Sequence, residues 1–88
     1  MIDKIKELIS NQIRINHIEI IDQSYQHEGH SHNSGGGHYK AIIISDDFIE
    51  KTLVERHQMV YGALDKLMKN EIHAFSMQTY TVTEFNSK

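Results

Sequence analysis

The chain has 88 residues, no cysteine, and twelve acidic against nine basic side chains, a net charge of −3. That length suits one domain with a thin margin of stability, since a chain this small buries only about 60–65% of its unfolded surface. The absence of cysteine excludes disulfides, a thiolate nucleophile and thiolate metal ligation, and the negative balance argues against a protein whose main work is neutralising phosphate backbones.

The most acidic stretch is 17–47, with Glu19, Asp22, Glu28, Asp46 and Asp47 against only Lys40. No apolar run approaches the roughly 18 residues of a membrane span, and Met1-Ile2-Asp3-Lys4 lacks the charged-then-apolar pattern of a secretory signal. The expected setting is soluble and cytoplasmic, an organelle matrix being the other compartment compatible with these features.

Residues 2–13 place Ile2, Ile5, Leu8, Ile9 and Ile13 at intervals of three and four, with Lys4, Lys6, Glu7 and Asn11 on the other side. This predicts an amphipathic helix, stopped near Asn16. Residues 17–25 read as a strand, Ile18 and Ile20 alternating with His17 and Glu19 while Ile21 falls out of step. Residues 26–37, QHEGHSHNSGGG, carry no apolar period and predict a flexible loop. Strand character returns over 38–45 with Tyr39, Ala41 and three consecutive isoleucines, as suits a central strand paired antiparallel with the first.

Ser45, Asp46 and Asp47 end that strand and predict a short helical turn at 48–51. Thr52 and Glu55 have the spacing of a capping box, opening a helix that runs to about Lys69. Leu53, His57, Val60, Leu64, Leu67 and Met68 share its apolar face, Lys66 and Lys69 oppose the dipole in its last turn, and Asn70 terminates it. A third strand follows over 73–80, with Ile72, Ala74 and Ser76 facing one way and His73, Phe75, Met77 and Thr79 the other. Thr81 and Glu84 repeat the capping-box spacing and predict a final short helix at 83–86. The sum is one domain over 1–88, an α/β (α+β) fold in the order αββαβα. It has a small three-stranded mixed sheet, a right-handed parallel crossover between the second and third strands, and helices packed on one face.

Seven histidines are the least ordinary feature, and His27, His30, His32 and His38 fall within twelve residues, in the loop or at its edge. Imidazole is the commonest protein metal ligand, and a flexible loop can bring one or two rings onto an ion with little strain. No HExxH pair and no cysteine pair accompanies them, so no zinc signature is present. On composition alone a solvated linker is the better account of the loop. By spacing alone His57 is a core or boundary histidine with one hydrogen bond, His17 a surface residue, and His73 a structural residue at a helix–strand junction. Gly35-Gly36-Gly37 lacks the spacing of a phosphate loop, and neither a triad nor a carboxylate dyad stands out, so the sequence gives no support for an enzyme.

Five stretches occur in order over nearly the whole chain. They are Asp22-Gln23-Ser24-Tyr25-Gln26-His27; Gly37-His38-Tyr39-Lys40 followed by Ile42-Ile43-Ile44-Ser45-Asp46 and Phe48; Arg56-His57-Gln58-Met59-Val60-Tyr61; Ile72-His73-Ala74-Phe75; and Thr79-Tyr80-Thr81 with Glu84-Phe85. Together they resemble the BolA family. The resemblance implies a fold related to class II KH domains and a monothiol glutaredoxin as partner, the two forming cluster-bridged heterodimers in iron–sulfur trafficking. It implies that His73 ligates a 2Fe–2S cluster shared with glutaredoxin and glutathione. His27 is then the second ligand, with His30, His32 and His38 as competing candidates. No cofactor is expected in the isolated chain, whose free form would be a monomer or weak homodimer. With no thiolate here, sulfur would come from the partner and glutathione, and neutral imidazole in its place raises the cluster's potential, as in Rieske centres.

The GxxG loop by which KH domains clamp single-stranded nucleic acid is not recognisable, which counts against that activity. Some BolA-like proteins are linked to transcription, so the alternative is a DNA-binding regulator with a basic face from Lys51, Arg56, Lys66 and Lys69. A third reading is a glutaredoxin adaptor without a cluster, in which the histidine loop is only a linker.

Overall fold

The computed structural model describes residues 1–23 and 37–87. Helix α1 (Ile2–Gln12) follows the isoleucine spacing: Ile5 and Ile9 are fully buried, while Ile2 and Leu8 pack against the core from its margin. It ends earlier than expected. Ile13 is already extended, and Asn16 serves elsewhere, its side-chain carbonyl accepting the Asp46 N–H at 3.0 Å.

Strand β1 (His17–Asp22) pairs antiparallel with β2 (Gly37–Ile44), and β2 pairs parallel with β3 (Ile72–Tyr80), so the sheet is mixed with β2 in the centre. Tyr39, Ala41 and Ile43 of β2 point into the core and meet Ile5, Ile9 and Ile13 of α1. Being central, β2 is apolar on both sides: Ile42 is half-buried and Ile44 buried. That explains three isoleucines in succession.

Ser45 joins the two halves. Fully buried, it donates its hydroxyl to the Arg14 carbonyl and accepts the Asp47 N–H at 3.0 Å, while the Asp47 carboxylate accepts the Arg14 N–H at 2.8 Å. The helical turn expected at 48–51 is a 3-10 turn two residues earlier, Asp46–Phe48, capped by Ser45. It drops Phe48, the largest fully buried side chain, into the core, and Glu50 follows in the left-handed region at φ 64°.

The single helix expected from Thr52 to Lys69 is two, α2 (Leu53–Ala63) and α3 (Asp65–Met68), broken at Leu64. The Leu64 N–H is shared between the Val60 and Tyr61 carbonyls, and Gly62, a poor helix former, lies just before the break. Val60, Leu64 and Leu67 face the core as expected, but Leu53 is 63% exposed and His57 only half-buried; Arg56 takes the inward position at that end. Leu53 and His57 instead line a shallow groove of about 240 Å³ with residues 77–80. Helix α4 (Val82–Asn86) closes the chain. Both expected capping boxes form, Thr52 with Glu55 and Thr81 with Glu84. No helix among the described residues is long and apolar enough to cross a membrane.

Candidate metal centre at the start of the parallel strands

The ladder between β2 and β3 slips by one residue at its amino end. Gly37 pairs with Ile72, but His38 pairs with Ala74, so His73 is an extra residue on β3. Such a bulge is rare between parallel strands, and bulges recur beside functional sites because they re-aim a side chain. Here it resets the alternation of β3: Ile72 and Phe75, three apart, are both buried, and His73 is turned out to an exposed position. The expectation that Ile72 shares a face with Ala74 and Ser76 fails for this reason. Phe75 and Thr79 are buried and Met77 packs against the core, as the alternation predicts beyond the bulge.

The slip brings two imidazoles together. The rings of His38 and His73 lie 4.9 Å apart between centroids, tilted by 40°. His38 is half-buried and its backbone is fixed from both sides: its carbonyl accepts the Gln23 N–H at 2.7 Å, and the adjacent Gly37 N–H donates to the Glu71 carbonyl at 3.0 Å. Gly37 is a glycine for a local reason, since a Cβ there would overlap the Tyr39 ring. That ring is buried beneath the rim; burial, and secondarily the Asp22 carboxylate, push its phenol above the ordinary value of 10.0. On the other flank the Tyr61 hydroxyl donates to the Phe75 carbonyl at 2.7 Å, and the two rings meet edge to face. The histidine pair therefore stands on two ordered strands.

Two nitrogen donors do not complete a metal centre. No group of three or more His, Asp or Glu residues able to hold a metal occurs among the described residues. His27, His30 and His32 lie outside the described residues. His17 is exposed at the far end of β1, its Nε2 2.8 Å from the Glu19 carboxylate, and His57 belongs to the groove by Met77. His38 was one of four loop-edge candidates in the sequence; nothing in spacing singles it out, because its approach to His73 depends on a strand register with a slip in it.

The basic residues divide. Lys51, Lys66 and Lys69 are exposed, Lys69 3.7 Å from Asp65. Arg56 is 7% exposed and fully engaged: Nη1 and Nη2 donate to the two Glu84 oxygens at 2.7 and 3.0 Å, and Nε donates to the Lys51 carbonyl at 3.0 Å. A guanidinium held in this way does not present itself to a phosphate backbone, so Arg56 leaves the set of nucleic-acid contacts expected from charge alone. The same pair, helped by the Thr81 N–H, holds the Glu84 carboxyl down at about 2 from an ordinary 4.5. The signal for Arg56 was present in the sequence as the acid of the second capping box, but capping satisfies a glutamate locally and hides a long-range partner.

Comparison with known proteins bears on all of this architecture. The chain matches the family model described as BolA-like protein over residues 9–84. It is 39% identical over 87 residues to an uncharacterized protein of Buchnera aphidicola, covering 99% of this chain and 82% of that one. It is 28% identical over 83 residues to the DNA-binding transcriptional regulator BolA of Escherichia coli, covering 94% and 77%. The structure of the BolA domain of SufE1 from Arabidopsis thaliana matches with a TM-score of 0.81 and 35% identity, over 93% of this chain and 92% of that one. The matched span holds the slipped strand pair, both rim histidines and the buried Arg56–Glu84 pair, and the chain belongs to the BolA-like protein family.

Proposed function

We propose that this chain is an iron–sulfur adaptor: it binds a monothiol glutaredoxin and lends His73, with a second histidine from the 27–38 segment, to a 2Fe–2S cluster bridging the two proteins. The observation that carries the reading is the bulge that turns His73 outward on a rigid strand beside another imidazole. The donor set fits a shared cluster and not a private one. The chain has no cysteine, so it contributes nitrogen alone, and thiolates from the partner and glutathione complete the four ligands. The family resemblance names His27 as the second ligand; His30, His32 and His38 compete for that place.

Co-expression with a monothiol glutaredoxin tests it. The purified complex is expected to show visible charge-transfer absorption that changes in His73→Ala. An unchanged spectrum in His73→Ala, and in a variant lacking His27, His30, His32 and His38, overturns the ligand assignment. A complex that forms equally well without iron and sulfide points instead to an adaptor without a cluster.

The second reading, a DNA-binding regulator, is favoured by the name of the Escherichia coli relative. Without Arg56 it rests on Lys51, Lys66 and Lys69. It predicts duplex binding that weakens steeply with salt, and absence of binding at low salt removes it.

A further inference from the structure

We propose that the groove between α2 and the free edge of β3 receives a short extended peptide from another chain, which pairs with Met77 as a partial fourth strand. The groove lies in the carboxyl half of β3, away from His73, and the inference does not rest on the shared cluster.

Its basis is the direction of the backbone. β3 is an edge strand of the three-stranded sheet. The Tyr80 carbonyl accepts the Ser45 N–H at 2.9 Å on the β2 side, so Tyr80, Gln78 and Ser76 turn their backbone polar groups toward β2. Phe75, Met77 and Thr79 therefore turn theirs outward. Two of the outward carbonyls are claimed from α2: Phe75 accepts the Tyr61 hydroxyl at 2.7 Å, and Thr79 accepts from Arg56 Nη1 at 3.4 Å. Between them, no described residue hydrogen-bonds to the outward N–H or carbonyl of Met77. A donor and an acceptor on one edge residue are half of a close antiparallel pair, which one residue of an incoming strand completes by exchanging both bonds.

The groove of about 240 Å³ opens at this place, walled by Leu53 and His57 of α2 and floored by residues 77–80. Leu53 is exposed and Met77 half-buried, so apolar surface is left for an occupant to cover. A residue paired with Met77 carries its side chain on the same face as Met77, toward Leu53. Its two neighbours emerge on the opposite face, beside the exposed Gln78, and stay solvated. The occupant is thus polar, apolar, polar in sequence. It is also short, because Tyr61 and Arg56 close the two ends and the strand between them spans only about 13 Å.

The lining favours a peptide over single-stranded nucleic acid. It contains no lysine or arginine, and the guanidinium at its closed end is committed to Glu84. A groove that tracks a phosphate backbone needs positive charge along it.

The test is selection from a displayed library of random heptapeptides on the immobilised full chain, with neither glutaredoxin nor iron present. The enriched peptide is then made with capped ends and a fluorescent label, and its binding is followed by anisotropy. We expect a polar–apolar–polar centre, and a Kd raised by about tenfold or more both in Leu53→Asp and when the amide of the central residue is N-methylated, which removes a backbone donor. Hydrogen exchange at the Met77 amide is expected to slow in the complex. Leu53 is exposed, so its variant keeps the fold, and the N-methylated peptide leaves the protein untouched. Absence of enrichment overturns the inference, as does equal enrichment on Leu53→Asp or binding that is indifferent to N-methylation at every position. Displacement of the peptide by single-stranded oligothymidylate at low salt overturns it in favour of nucleic acid. Because no glutaredoxin is present, failure here leaves the cluster reading intact, and a featureless glutaredoxin complex leaves the peptide groove intact.

Discussion

Around residues 79–84, at the carboxyl end of β3, charged groups are committed to holding the fold. Arg56 is buried, its guanidinium grips Glu84 with two hydrogen bonds and also reaches the Lys51 and Thr79 carbonyls, and Thr81 and Glu84 cap the last helix. Around residues 72–74, at the amino end, the backbone is equally fixed, but the slipped ladder leaves an imidazole turned outward against a second one. One end of a single strand thus joins elements distant in sequence, and the other presents donors. The difference teaches that titratable groups in a small domain can be sorted by whether their polar atoms point back into the chain. Arg56 belongs to the first kind and His73 to the second, although both stand in segments that resemble the family pattern.

The sharpest way to break the comparison is Arg56→Ala. It removes the guanidinium from its carbonyl partners and leaves the Glu84 carboxylate with only its capping contact to Thr81. Because Glu84 is partly open to water, the expected loss is about 2–3 kcal/mol, below the full range for a buried pair. In a domain of this size that lowers Tm by on the order of 10–20 °C, which thermal denaturation reads directly. Unchanged stability would place Arg56 with the surface lysines after all.

A smaller effect is expected from Glu84→Gln, and its pH dependence is diagnostic. The folded protein holds this carboxyl at about 2 against an ordinary 4.5, chiefly through the Arg56 hydrogen bonds. A carboxyl whose pKa is depressed on folding adds stability that is fully present above its unfolded value and is lost as pH falls toward its folded value. The wild type should therefore be more stable than Glu84→Gln at pH 7, and the gap should close between about pH 4.5 and 2, as followed by urea denaturation at each pH. A gap independent of pH would show that the pair acts through shape and not charge. Glu55, also held below its ordinary value mainly by the Thr52 N–H, titrates in both proteins and does not affect the difference.

The smallest effect is expected at the other end. His73→Ala should change unfolding free energy by no more than about 0.5 kcal/mol, and His38→Ala, at a half-buried position, by no more than about 1 kcal/mol. A larger loss in His73→Ala would mean that the rim also supports the fold and would erase the contrast.

Much of the fold was legible in the sequence because its signals are local. The isoleucine period of α1, both capping boxes and the isoleucine run of β2 each act within one turn or one strand, and each forms as its pattern predicts. What was not legible depends on contacts between distant residues. The break at Leu64 comes in a segment whose apolar spacing runs on without interruption. The inward position of Arg56 depends on Glu84, 28 residues away. In β3, Ile72 and Phe75 have a spacing of three, which alternation reads as opposite faces; only the register against β2 shows both turned inward. The candidate site was legible in part: the family pattern pointed to His73, and its approach to His38 emerged only when the strands were laid side by side.

The same slip sets a constraint on length. Strand β3 has nine residues where β2 has eight. Removing one residue between Glu71 and Phe75 would restore an even ladder with more regular hydrogen bonding. Alternation back from Phe75 would then leave one outward and one inward place. Deleting Ile72 would move the His73 ring to the inward place and cost the core an isoleucine, whereas deleting Ala74 would keep Ile72 inward and His73 outward, so the tolerance of this segment to shortening depends on which residue is lost.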